Sequence, residues 1–279
     1  MIKYRSADAL ARLAVYLGLV VMTIVALFPV LWMIFDSLKS NAEFYANIWS
    51  YPRNPMWQNY ALAWQRGQIG ERLLNSVIVT TGTLAIALPA ASMAAYAVTR
   101  LQFRGRRLLF YFFMLGMMIP NGVTAIPILS VIIDLGLVNT RLSLILVLAA
   151  QALAFDIFIM HAFFISLPSE LEEAALIDGC TPLTAFWRVI LPLASPGLAT
   201  IAILTGLDTW NEFLLTSILV RSADLETLPL GLVNFVGRAT QAYPQMFAYL
   251  AMITVPVMIL YLIAQKRFIS GLTAGAVKG

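Results

Sequence analysis

Six long runs that carry almost no charge constrain this chain more than any other feature. They are Leu13–Phe35, Leu73–Thr99, Leu108–Ile133, Leu142–Ile165, Leu198–Leu219 and Phe247–Ala264. A helix rises about 1.5 Å per residue and the hydrocarbon core of a bilayer is about 30 Å thick, so roughly 20 apolar residues cross it. The runs predict six transmembrane helices, an all-α polytopic membrane protein, in one membrane domain over residues 1–279. Composition agrees. Charged residues make up 11%, where a soluble domain has about 25%.

The first run follows Lys3, Arg5 and Arg12, as in a signal peptide. At 23 residues it exceeds the usual hydrophobic region of about 7–15 residues, and no small-x-small cleavage site closes it. It reads as a retained span. Orientation follows from Lys and Arg in short loops. Arg100, Arg104, Arg106 and Arg107 crowd the loop after the second run, and Lys266, Arg267 and Lys278 follow the sixth. With six spans all of these, and both termini, fall on the cytoplasmic side. The outer segments are then 36–72, 134–141 and 220–246. The last is long enough to reach an outside partner.

Residues 167–197 form the longest polar stretch of the second half. Ser169 with Glu172 has the spacing of a capping box, and Glu170, Glu172 and Glu173 suit a helix N-terminus. Asp178-Gly179 marks a helix stop. Thr181 then caps a second short helix that opens on Pro182 and is expected to end at Pro192. Small apolar and acidic residues on a short helix suit docking into a groove of another protein. A helix lying on lipid would favour Lys and Arg instead.

Glu173-Ala174-Ala175, Asp178-Gly179 and Ile190-Leu191-Pro192 together resemble the EAA loop of binding-protein-dependent ABC importer permeases. Asn75-Ser76, Ala94-Ala95-Tyr96-Ala97, Trp210-Asn211-Glu212-Phe213 and the end Gly271–Gly279 are similar to the carbohydrate branch, specifically the maltose-type second permease subunit. The resemblance covers nearly the whole chain. It implies the type I importer permease fold in a bacterial cytoplasmic (inner) membrane. The implied partners are a homologous second permease subunit, two ATPase subunits and an extracytoplasmic solute-binding protein, with lipid around them and no nucleic acid. Glu173, Ala174, Ala175, Asp178 and Gly179 would couple to the ATPases. The tail 271–279 would lie between the ATPases, and the loop 220–246 would touch the binding protein.

The residues agree that the engine lies elsewhere. No G-x-x-x-x-G-K-[S/T] loop is present to hold ATP phosphates, so ATP and Mg belong to partner chains and no cofactor is expected here. No catalytic or metal site is expected either. Cys180 is the single cysteine and His161 the single histidine. His161 reads as an interfacial residue at a span end.

Carboxylates within the spans cost about 2.5–3.5 kcal/mol each on insertion scales. They are Asp156, Asp208 and Glu212. Asp208, Asn211 and Glu212 are spaced to share one helix face, with Trp210 beside them. Either these groups line the solute pathway or they tie the chain to the second permease subunit. An ion-coupled secondary transporter would also use membrane carboxylates, but such folds show repeated halves, which this sequence lacks.

Overall fold

The computed structural model describes the backbone of residues 2–235 and 242–276, and the side chains of residues 11–235, 242–259 and 262. Among the described residues the regular structure is entirely helical. Of the tail Gly271–Gly279, the side chains and the last three residues lie outside the described residues. So does Arg238 in the segment 220–246.

All six apolar runs are helical. The first lies in α1 (Ile2–Ser37), the second in α4 (Ile69–Arg100), the fourth in α7 (Arg141–Ser166) and the sixth in α13 (Tyr243–Ala276). Two runs expected as single helices are broken. The third divides into α5 (Arg106–Met117) and α6 (Asn121–Asp134), bent by 104°. Pro120 is the cause. It has no N–H to continue the ladder and it disfavours helical geometry at Ile119. Its own backbone is extended, at φ −64° and ψ 131°. The fifth divides into α11 (Ser195–Trp210) and α12 (Leu214–Leu219).

The chain forms two compact units. The first comprises residues 1–69 and 232–257. Between residues 11 and 29, α1 buries no side chain within this chain, so its apolar surface is left to lipid or to other subunits. Beyond it come α2 (Asn41–Ala46) and α3 (Gln58–Arg66). Lys39 is buried there. Its Nζ donates to Asp36 Oδ1 at 2.7 Å and to the Ile48 carbonyl at 2.6 Å, so the charge is compensated as a buried ammonium requires. Asn59 donates to the Ser37 and Lys39 carbonyls and pins the same turn. Gly67 at the end of α3 lies under the Tyr249 ring; a Cβ there would come within 2.4 Å of it.

The second unit comprises residues 70–231 and 258–279, with α7 as its axis, packed by α5, α6, α11 and α12. Lipid gives no hydrophobic drive between helices, so close packing of small residues must hold them. Ala87, Ala91 and Ala95 recur every fourth residue along α4. All three are fully buried, and Ala91 and Ala95 belong to one cluster with Ile157, Met160, Phe164 and Ile201. Gly197 on α11 leaves no room for a Cβ, which would lie 2.7 Å from the Phe163 ring.

Side chains of the second unit also strap the loop after α12. Asn75 Nδ2 donates to the Asp224 and Glu226 carbonyls, and its Oδ1 accepts from Arg141 Nε at 2.8 Å. Ser76 Oγ accepts the Leu228 N–H, and Arg72 pairs with Glu226. The Asn75-Ser76 pair thus fastens residues 224–228 to one end of α4.

Candidate functional site: a polar cavity and an outward-facing helix pair

Both broken runs border one cavity of about 240 Å³. Gly116, Met117, Ile119 and Asn121 reach it from the α5–α6 break, and Glu212 from the α11–α12 break. Irregular backbone at membrane depth is tolerated only where protein or a wet cavity meets its polar groups. The two breaks and the cavity are therefore one feature. Gln151 of α7 and Thr205, Asp208 and Thr209 of α11 complete its polar lining.

The five membrane-depth candidates separate by position. Asp208 and Glu212 line the cavity. They do not share a helix face with Asn211, because α11 ends at Trp210 and Asn211 is its C-cap. Asn211 turns its amide back onto the Leu207 carbonyl at 2.8 Å, which satisfies the helix end and aborts the next turn. Glu212 Oε1 accepts the Leu215 N–H at 2.6 Å, supplying an orphan donor of α12 with an acceptor. Asn211 and Trp210 do not border the cavity. Asp156 is fully buried behind it, and its Oδ1 accepts from Thr205 Oγ1 at 2.8 Å.

The second feature is the connection between α7 and α11. It holds α8 (Glu170–Ile177), α9 (Pro182–Ala185), a π-helical turn (Phe186–Ile190) and α10 (Leu191–Leu193). The turn between α8 and α9 matches the sequence reading. Gly179 has φ +87°, its N–H bonds to the Leu176 carbonyl at 3.1 Å, and the Cys180 N–H bonds to the Ala175 carbonyl at 3.0 Å. That pair of bonds is a Schellman motif. Thr181 caps α9 by accepting from the Thr184 N–H at 3.2 Å.

Two expectations fail here. Ser169 is no side-chain cap: its backbone is already helical (φ −67°, ψ −26°), so its hydroxyl cannot reach the third N–H. Glu172 is drawn elsewhere. Its Oε1 accepts from the Tyr96 hydroxyl, and its Oε2 lies 3.8 Å from Arg100 Nε. Pro192 does not end the second helix either. The Leu191 N–H reaches back five residues to the Phe186 carbonyl. That widened turn relieves the clash a proline ring makes with the carbonyl four residues earlier. The chain stays helical to Leu193 and then turns by 75° into α11.

Glu172 and Ala175 face the bundle; Glu170, Glu173, Ala174, Ile177, Asp178 and Gly179 face outward. Ile177 is 86% exposed and Leu183 64% exposed. Acidic and large apolar groups therefore share one uncovered surface of α8 and α9. Arg100 braces its root by donating to the Phe164 and Leu167 carbonyls at 2.8 and 2.5 Å, which caps the C-terminus of α7. Spacing in the sequence assigns Glu172 to a local cap and gives no link from it to Tyr96 or Arg100. A membrane-buried tyrosine near a span end, four residues before an arginine, was the available signal.

Residues 87–272 match the family described as binding-protein-dependent transport system inner membrane component. The chain belongs to this family. It is the membrane component of an ABC importer, and members of the family work with an ATPase and a solute-binding protein. The chain is 36% identical to the diacetylchitobiose uptake system permease of Streptomyces coelicolor, over 92% of this chain and 86% of that protein. It is 38% identical to the trehalose transport system permease of Mycobacterium tuberculosis, over 91% and 93%. Its fold matches a chain of a bacterial ABC transporter involved in the import of the acidic polysaccharide alginate, with a TM-score of 0.80, 24% identity and coverage of 94% and 98%. The family match takes in both the cavity and the outward-facing helix pair of this permease.

Proposed function

We propose that this chain forms half of the pathway of a carbohydrate importer and couples it to ATP hydrolysis on partner chains through α8. The observation that carries this reading is the exposed acidic-apolar surface of α8 and α9, tied by Glu172 to the end of a spanning helix. Such a surface suits a groove on another protein. Glu173, Ala174, Asp178 and Gly179 would meet the ATPase, while Ala175, 7% exposed, would let α8 lie close to the bundle. ATP and Mg are bound by the partners, and this chain binds no cofactor itself. The full assembly is this chain, a homologous second permease, two ATPases and an extracytoplasmic binding protein, within a single permease domain 1–279 whose termini are cytoplasmic. The loop 220–246 would meet the binding protein and the tail 271–279 the ATPases.

The carbohydrate class is supported by the relatives named for diacetylchitobiose and trehalose and by the cavity lining. Amide, hydroxyl and carboxylate groups together suit a solute rich in hydroxyls. Asp208 and Glu212 are the contacts of choice. Asp156 acts behind them through Thr205, and Trp210 and Asn211 shape the helix end. The test is Glu173→Lys in the reconstituted transporter. The expected result is normal insertion with loss of ATPase co-purification and of transport. Full co-purification and transport would remove α8 as the docking element.

A further inference from the structure

We propose that the recess at the basic ends of α4, α5 and α7 is a binding site for one anionic glycerophospholipid. This rests on membrane residence alone and is independent of the docking role of α8. The recess has a volume of about 290 Å³. Arg106, Arg107, Tyr111 and His161 supply its polar groups, and Phe110 and Ile165 are among its apolar walls.

Four observations converge. The first is charge. Neither arginine has an acidic partner among the described residues, and no carboxylate lines the recess. The second is backbone. α5 begins at Arg106 behind Gly105, which has φ +92° and offers no side-chain cap. The Arg106 N–H has only a long bond, 3.5 Å, to the Phe103 carbonyl, and the positive end of the helix dipole favours an anion at that point. The third is rigidity. Thr99 Oγ1 gives its proton to the Ala95 carbonyl at 2.6 Å, so His161 Nδ1 is the donor in its 2.6 Å contact with Thr99. The imidazole also packs on Phe110 at 4.2 Å between ring centroids. The wall formed by Thr99, His161 and Phe110 is therefore fixed. The fourth is what lies beyond it. Along α5 no residue is buried, and Leu108, Phe112 and Leu115 are 75%, 67% and 60% exposed.

A cationic rim at one end of an uncovered apolar strip matches a molecule with a phosphate head and acyl chains. Basic pockets between spanning helices are the usual receptors for anionic head groups. A free phosphate would use the rim and leave the strip bare.

The experiment is native mass spectrometry of the intact transporter, released from nanodiscs of equal phosphatidylglycerol and phosphatidylcholine. The expected result is retention of phosphatidylglycerol in preference to phosphatidylcholine. Arg106→Gln with Arg107→Gln should lower that retention about tenfold, as two guanidinium contacts near a membrane surface allow. Arg104→Gln, in the same loop but outside the recess, should retain lipid as the unaltered protein does. An equal loss in Arg104→Gln would reduce the effect to the diffuse charge of the loop and overturn the site. Equal retention of phosphatidylcholine would do the same, as would displacement of the lipid by inorganic phosphate alone. If the double variant does not assemble, Arg107→Gln, at an exposed position, decides by the same readout.

Discussion

Replacing Gly179 separates backbone strain from crowding, because the structure removes one of the two. Gly179 has φ +87°, and nothing lies within 4 Å of the position a Cβ would take. Any cost of a side chain in the free subunit is therefore conformational. A left-handed backbone costs an ordinary L-residue about 1–2 kcal/mol. Asn adopts it more readily than Ala, and a β-branched residue less readily. The Schellman turn should then open about 5–30 times more often in Gly179→Ala, less in Gly179→Asn and more in Gly179→Val. Size predicts a different order, with Asn worse than Ala, so the comparison of those two decides. The assay is amide hydrogen exchange in the permease without its ATPase. The reporters are the Gly179 and Cys180 amides, bonded at 3.1 and 3.0 Å to the Leu176 and Ala175 carbonyls. Greater loss of protection in Asn than in Ala would refute the strain argument. Measured next with the ATPase present, the same series tests docking. A variant benign in exchange yet poor in ATPase association has its side chain against the partner.

Three further outcomes are expected. Tyr96→Phe and Glu172→Gln should each leave the ATPase bound but weaken its stimulation by solute, since a hydrogen bond to a charged group contributes about 1.5–3 kcal/mol; strictly additive effects in the double variant would show that the two residues do not act as a pair. Asp208→Asn should raise the solute concentration needed for half-maximal transport while the complex assembles in normal yield, and unchanged transport would remove Asp208 from the pathway. Gly67→Ala should cost about 1–3 kcal/mol by overpacking against Tyr249, read as a lower melting temperature of the solubilised complex. Gly122→Ala, with open space around its Cβ, is the control, and equal melting of the two would contradict the packing described.

The sequence by itself determined what depends on lipid and on local backbone. An apolar run of 20 residues becomes helical except where a cavity or another helix meets its amides, because they have no other partner in a bilayer. Asp178-Gly179 and Thr181-Pro182 likewise set their turn through bonds spanning only a few residues. Tertiary structure decided what depends on partners far along the chain. Glu172 fits a local capping box by spacing, yet Tyr96, 76 residues away, takes its carboxylate. Only the fold showed that the breaks at Pro120 and Asn211 meet at one cavity, or that Asn75 holds a loop about 150 residues later. Pro192 reads as a helix stop because its clash with a carbonyl is local; the wide turn that accommodates it forms where Phe186 and Ile190 pack into the buried cluster around α7. A membrane sequence encodes its spans in each segment alone. Which side chain answers which across the bundle is fixed only when the spans are brought together, as Asp156 with Thr205 and Glu172 with Tyr96 show.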